Sequence, residues 1–172
     1  MKKCILSIMV LFIPVVCWSS EIESRYAIIQ YQHYEQLEKL NNRIVLGSLS
    51  YLMGGRRGLT AVEELKRKID VIVEKVESIL QMYPSRVKFR IQLFDNPEDV
   101  RKVYFHQYGK RVDFIAFYSP QDKTIYLSLK DAELIVLAHE IAHVIIDTYY
   151  DRATPVKVHE ILADYVTRYI ED

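Results

Sequence analysis

Cysteine is almost absent from this 172-residue chain: there are two, Cys4 and Cys17, and both lie in its first seventeen positions. Everything downstream is therefore without a disulfide and without a thiolate to bind metal, so stability must come from a packed core. Glycine and proline are scarce as well, five of each, and three of the glycines fall together in Met53-Gly-Gly-Arg-Arg-Gly-Leu59. No internal repeat, low-complexity tract or long linker divides the sequence. Charge of one sign is also missing, since 23 basic residues balance 23 acidic ones. With no basic stripe on any segment, no nucleic-acid partner is expected.

Long apolar runs are lacking too. Cys4 to Val16 is the longest stretch of this kind, and it is too short to span a bilayer comfortably. It follows the positive start Met1-Lys-Lys3 and is bounded by Cys17-Trp-Ser19-Ser20, so residues 1–19 read as a signal peptide cleaved near Ser19 or Ser20. The competing readings are an uncleaved anchor or a lipid-modified Cys17, the latter disfavoured by Val16 where a small residue is usual. A secreted or periplasmic protein is expected, with no membrane attachment after cleavage. Taking Lys2 and Lys3 from the 23 basic residues leaves 21 against 23 acidic, a net charge of about −2. Residues 20–172 amount to one domain's worth of chain.

The elements can be placed coarsely. Residues 25–44 carry Tyr26, Ile29, Leu37, Leu40 and Ile44 at a helical spacing. After the glycine-rich break, Thr60 and Glu63 form a capping-box signature ahead of a long amphipathic helix through Val62, Leu65, Ile69, Val73, Val76 and Leu80. Val87, Phe89, Ile91 and Leu93 alternate with polar residues as in a half-exposed strand, and Asn96-Pro97 opens a short helix. Strands over 112–118 and 123–129 form a hairpin around Ser119-Pro-Gln-Asp122. Two more helical segments follow. From residue 60 on, the order helix, strand, helix, strand, strand, helix, helix predicts an α+β domain with a small mixed sheet laid over the first of those two helices. The thirteen tyrosines are spread through these elements and read mostly as packing residues.

That helix holds the chemistry. His139, Glu140 and His143 stand in Leu137-Ala-His-Glu-Ile-Ala-His-Val-Ile-Ile146, an H-E-x-x-H pattern. Residues four apart share a helix face, so both imidazoles can grip one ion while Glu140 points beside it, ready to take a proton from a zinc-bound water. The helix is apolar on nearly every side, and polar groups buried there without partners would cost roughly 2–7 kcal/mol each. Ordinary core histidines bonded to backbone are the bland alternative. A third ligand is needed, and the neighbours His159 and Glu160 on the next helix both qualify. They point about 100° apart, so one of them faces the ion. Glu160 is favoured because Asp164, one turn on, can accept the ring N–H of a ligand histidine, His139 above all.

His139-Glu140-x-x-His143 followed by Glu160-x-x-x-Asp164 resembles the gluzincin metallopeptidases, the family of thermolysin, and the chain's length is closest to the single-domain minigluzincins. Phe114-Ile-Ala-Phe-Tyr-Ser119 and Thr124-Ile-Tyr-Leu-Ser-Leu129 are similar to that family's edge strand and to the strand leading into its motif helix. The resemblance implies a small zincin domain over residues 20–172, with a three- to four-stranded mixed sheet packed over an active-site helix and a following glutamate helix. It implies Zn2+ as cofactor and a peptide or protein substrate bound along Ile115, Ala116 and Phe117 by strand addition. It also implies an oxyanion donor beyond the motif helix, with Tyr149, Tyr150, Tyr165, Tyr169 and Arg152 as candidates. One departure stands out: only twelve residues follow Glu160, too few for the downstream subdomain that forms thermolysin's other cleft wall.

That departure keeps a rival in view, a zinc-stabilised binding or latent protein with little turnover. Glu140 argues against it, because a structural site has no use for an uncoordinated base. A zinc hydrolase acting on something other than a peptide is a third reading. The dibasic pair Arg56-Arg57 adds the idea that residues 20 to about 58 are a removable pro-segment, against the plainer reading of a helix and surface loop.

Overall fold

A computed structural model describes residues 20–54, 59–150 and 154–172. The expected signal peptide at 1–19, the dibasic pair Arg56-Arg57 and Arg152 lie outside the described residues.

Two strands, β1 (Ser20–Glu23) and β2 (Ala27–Tyr31), come first, then helix α1 (Tyr34–Arg43), a 3-10 turn over Gly47–Met53 and helix α2 (Ala61–Leu80). Strand β3 (Phe89–Phe94), helix α3 (Pro97–Tyr108), strands β4 (Ala116–Ser119) and β5 (Thr124–Ser128), and helices α4 (Leu134–Tyr149) and α5 (Val156–Tyr169) complete the described residues. This is an α+β fold with a mixed sheet in the order β1-β2-β3-β5-β4. β2, β3 and β5 run parallel, while β1 and β4 pair antiparallel to the outside and form the two edges.

The sheet has five strands, not three to four, because residues 25–44 are not one helix. Ala27 and Ile29 are fully buried with Ile28 and Gln30 less so, a period of two that a five-residue run shares with the start of a helical pattern. Ser24 closes the turn before β2, donating its N–H to the Ala27 carbonyl and accepting the Ala27 N–H at its hydroxyl. The helix starts only at Tyr34, where Gln36 reaches back to accept the Gln32 N–H at 2.8 Å. Far from being a detachable cover, residues 20–54 supply two strands and the fully buried Ile29, Leu37, Leu40 and Ile44.

β4 is also shorter than the expected 112–118. Before it, Asp113 pairs with Arg101 of α3, and Phe114 sets its ring edge-on to Tyr104 of α3 at 5.1 Å. The strand itself begins at Ala116. The hairpin then turns at Pro120–Lys123, with Lys123 in the left-handed region at φ 53°.

Alternation along the strands sorts the side chains into two layers. Ile91, Ile125 and Leu127 face α1, α2 and α4 in the main core, whereas Phe117 and Tyr126 stack at 4.8 Å on the opposite face beneath Val100 of α3. Helix α2 begins at the expected capping box, with Thr60 accepting the Glu63 N–H and Glu63 accepting the Thr60 N–H. It ends on Gln81 in the left-handed region. Helix α4 lies between the sheet, α2 and α5, which is why it is apolar almost all round. Among the described residues, no helix is long and apolar enough to cross a membrane.

Truncating Ile91, buried at the sheet centre, to alanine should destabilise the domain by roughly 2–5 kcal/mol, against about 1 kcal/mol for Thr60→Ala at the α2 cap. Urea denaturation midpoints test the ranking. A near-neutral Ile91→Ala would mean that β3 is not the centre of the core.

Candidate metal centre

Helix α4 sets His139 and His143 one turn apart, and their Nε2 atoms converge to 3.2 Å. α5 crosses close to α4, and its carboxylate Glu160 meets both rings equally: Oε2 lies 3.7 Å from His139 Nε2 and Oε1 lies 3.7 Å from His143 Nε2. One donor atom from each of the three residues falls within 4.8 Å of the others. This group could hold a metal ion.

The sequence left His159 and Glu160 in competition, and the structure places them on different sides of His143. Glu160 faces the Nε2 atoms, while His159 stacks on His143 with Nδ1 to Nδ1 at 3.4 Å. His159 thus belongs to the surroundings of a ligand rather than to the converging donors. Asp164, one turn beyond Glu160, brings Oδ1 to 3.8 Å from His139 Nδ1. The carboxylate thus stands beside the ring's other nitrogen, at a separation longer than a hydrogen bond.

Glu140 is on α4 between the two histidines but does not join their donors. It is 8% exposed, and burial pushes its carboxyl up to about 8, against a lowering by the Tyr118 backbone N–H and with a further rise from nearby Glu160. His143 is driven the other way, down to about 3, by burial and then by His139 and His159 beside it. Burial likewise lowers His159. Neutral imidazoles are the form in which histidine binds metal.

Strand β4 borders this cluster. Ser128 donates to the Ile115 carbonyl at 3.0 Å, so the pairs 115–128 and 117–126 are the hydrogen-bonded ones. The backbone groups of Ala116 and Tyr118 consequently point away from the sheet, and the Tyr118 N–H is directed to Glu140. Of the three residues expected along the peptide-binding edge, Ala116 offers outward backbone groups, whereas Ile115 and Phe117 turn theirs toward β5. Tyr118 completes the edge with its carbonyl. Its hydroxyl donates to Asp147 Oδ2 at 2.9 Å, and burial first, then Asp147, raises it well above the usual phenol range.

A cleft of about 490 Å³ runs from the α3 end of β4 across His139, Glu140 and His143 to the start of α5. Tyr104, Tyr118, Thr154 and His159 supply its hydroxyl and imidazole walls. Tyr149, Tyr150, Tyr165 and Tyr169, singled out from the sequence, do not line it; they are exposed, and Tyr165 leans on Tyr169 at 4.7 Å. Sequence reasoning missed Asp147 and Tyr118 as site residues. Asp147 had a visible signal, because it stands four residues after His143 on the same helix face. Tyr118 had none, since its partner comes from a different element.

No protein-family model, curated protein or solved structure matches this chain.

Titration of the metal-free chain with Zn2+ or Co2+ should show one ion per chain. Glu160→Ala should lose most of that affinity, Asp164→Asn should weaken it about 10–100-fold, and His159→Ala should keep one ion bound. Full affinity in Glu160→Ala would remove α5 from the centre.

Proposed function

We propose that the chain is a zinc-dependent peptidase of the gluzincin type, in a small zincin-like domain. The observation that carries this reading is the convergence of His139, His143 and Glu160 beside a buried carboxylate, Glu140, that is not one of the donors. Two imidazoles and one carboxylate with no thiolate are a ligand set typical of zinc sites that keep a position open for water or substrate. Donors 2.0–2.1 Å from a tetrahedral ion stand about 3.3 Å apart; the imidazole nitrogens are already at 3.2 Å, while each carboxylate oxygen lies 3.7 Å from one of them and the three single donor atoms fall within 4.8 Å, so Glu160 would close in on binding. Two facing ring nitrogens alone could share a proton, but a carboxylate placed evenly against both is what a shared cation would attract.

Zinc bound there would supply Lewis acidity, polarising a carbonyl and lowering the pKa of water from about 15.7 to about 7. The chain's own groups do the rest. A cation beside Glu140 would offset the burial that raises its carboxyl and favour the ionised form; as a carboxylate met by the Tyr118 N–H it takes the proton of the attacking water and returns it to the leaving amine nitrogen. Ala116 and the Tyr118 carbonyl hold an extended peptide along the outer edge of β4. Asp164 stands 3.8 Å from the other ring nitrogen of His139, where a small side-chain movement would let it accept that N–H and orient the ring. The exposed tyrosines of α5 do not line the cleft, and the Tyr118 hydroxyl is already given to Asp147, so the oxyanion donor is not assigned to either. A secreted or periplasmic site of action belongs to the same proposal and rests on the leader-like sequence at 1–19.

Glu140→Gln separates an enzyme from a metal-stabilised binder. It should retain one ion per chain yet lose about 10²–10⁴-fold in hydrolysis of a mixed peptide library, and a chelator should abolish the wild-type cleavage. Undiminished cleavage by Glu140→Gln, or none by the metal-loaded wild type, would overturn the peptidase reading.

A further inference from the structure

The cleft does not stop at the ligand cluster. At its other end it passes around the edge of β4 onto an aromatic ledge made by Tyr104, Phe114 and Phe117. Tyr104 is the hub, with Phe114 edge-on at 5.1 Å and Phe117 edge-on at 5.0 Å. Phe117 is buried and serves the core layer under α3, but Phe114 keeps 42% of its surface exposed. An exposed phenylalanine held in a fixed stack, opening into the same cavity as the metal donors, is a poor packing residue and a good contact residue.

Strand geometry says what would lie on it. The outward backbone groups of Ala116 and Tyr118 align a peptide along β4, and an extended peptide throws alternate side chains to opposite faces. On one face these side chains meet α4 and α5, and on the other they meet the ledge. We infer that the ledge is a specificity subsite, and that the substrate class is extended peptides with an aromatic or large aliphatic side chain on the α3 face of β4. The inference rests on the peptidase reading for its occupant, and continuity of the ledge with the donor cluster in one cleft supports it. Pro120, after the other end of β4, also lines the cleft.

The test uses the full chain, zinc-loaded, with peptides in which phenylalanine or alanine is placed at each successive position. Wild-type cleavage should favour phenylalanine over alanine by about tenfold or more at one position, a usual discrimination for an apolar pocket. Phe114→Ala should bring that ratio down several-fold toward one, and Phe114→Tyr should retain it. Binding of the same peptides to zinc-loaded Glu140→Gln gives a readout independent of turnover. Binding that prefers phenylalanine and depends on Phe114, without cleavage by the wild type, would support the ledge and overturn the peptidase reading. Cleavage with no aromatic preference, or with a preference that Phe114→Ala leaves intact, would overturn the ledge alone. Neither binding nor cleavage would overturn both.

Discussion

The arrangement depends on the environment of α4, a helix enclosed by the sheet, α2 and α5 that carries two histidines and a glutamate in its middle. Polar groups in such a place are tolerated only where partners meet them. The surrounding elements are arranged accordingly: Glu160 and Asp164 reach in from α5, the Tyr118 N–H from β4, and His159 covers the far side of His143. Without β4, the buried Glu140 carboxyl would lose the backbone N–H that meets it. The apolar faces of the same helix do the opposite job. Leu137, Ile141 and Ile145 are fully buried and hold the donor pair at a fixed height above the sheet.

The edge strand extends this arrangement to the cleft. β4 is short, and just before it Asp113 and Phe114 make their contacts to α3 instead of continuing the strand. That diversion has two effects at once. It leaves Ala116 as the first residue with free outward backbone groups, and it lifts the Phe114 ring to the mouth of the cleft.

What the sequence revealed depended on how local each signal was. His139, Glu140 and His143 were legible because a fixed spacing on one helix is all that their convergence needs. Glu160 was legible through its four-residue spacing to Asp164, which favoured it over His159 once the angle between neighbours allowed only one of them to face the ion. β2 was not legible as a strand, since a run of five residues does not separate a period of two from a helical one when Leu37 and Leu40 continue the pattern. Ser24 and Gln36, whose hydrogen bonds stop and start the elements there, became meaningful only with partners in view. The Tyr118 to Asp147 bond joins residues 29 apart, so neither pattern nor propensity could have announced it.

The anchoring of α5 has a consequence of its own. Only Ala163, Val166 and Ile170 of this segment are buried, whereas Glu160 is 54% exposed in its side chain. The donors thus come from two supports of unequal firmness, a pair fixed in the core and a third on a helix with a shallow seat. An ion bridging them would act as a latch, and its free energy of capture would be shared with the docking of α5. By reciprocity, whatever seats α5 more firmly tightens the grip on the ion, and whatever loosens the helix releases it.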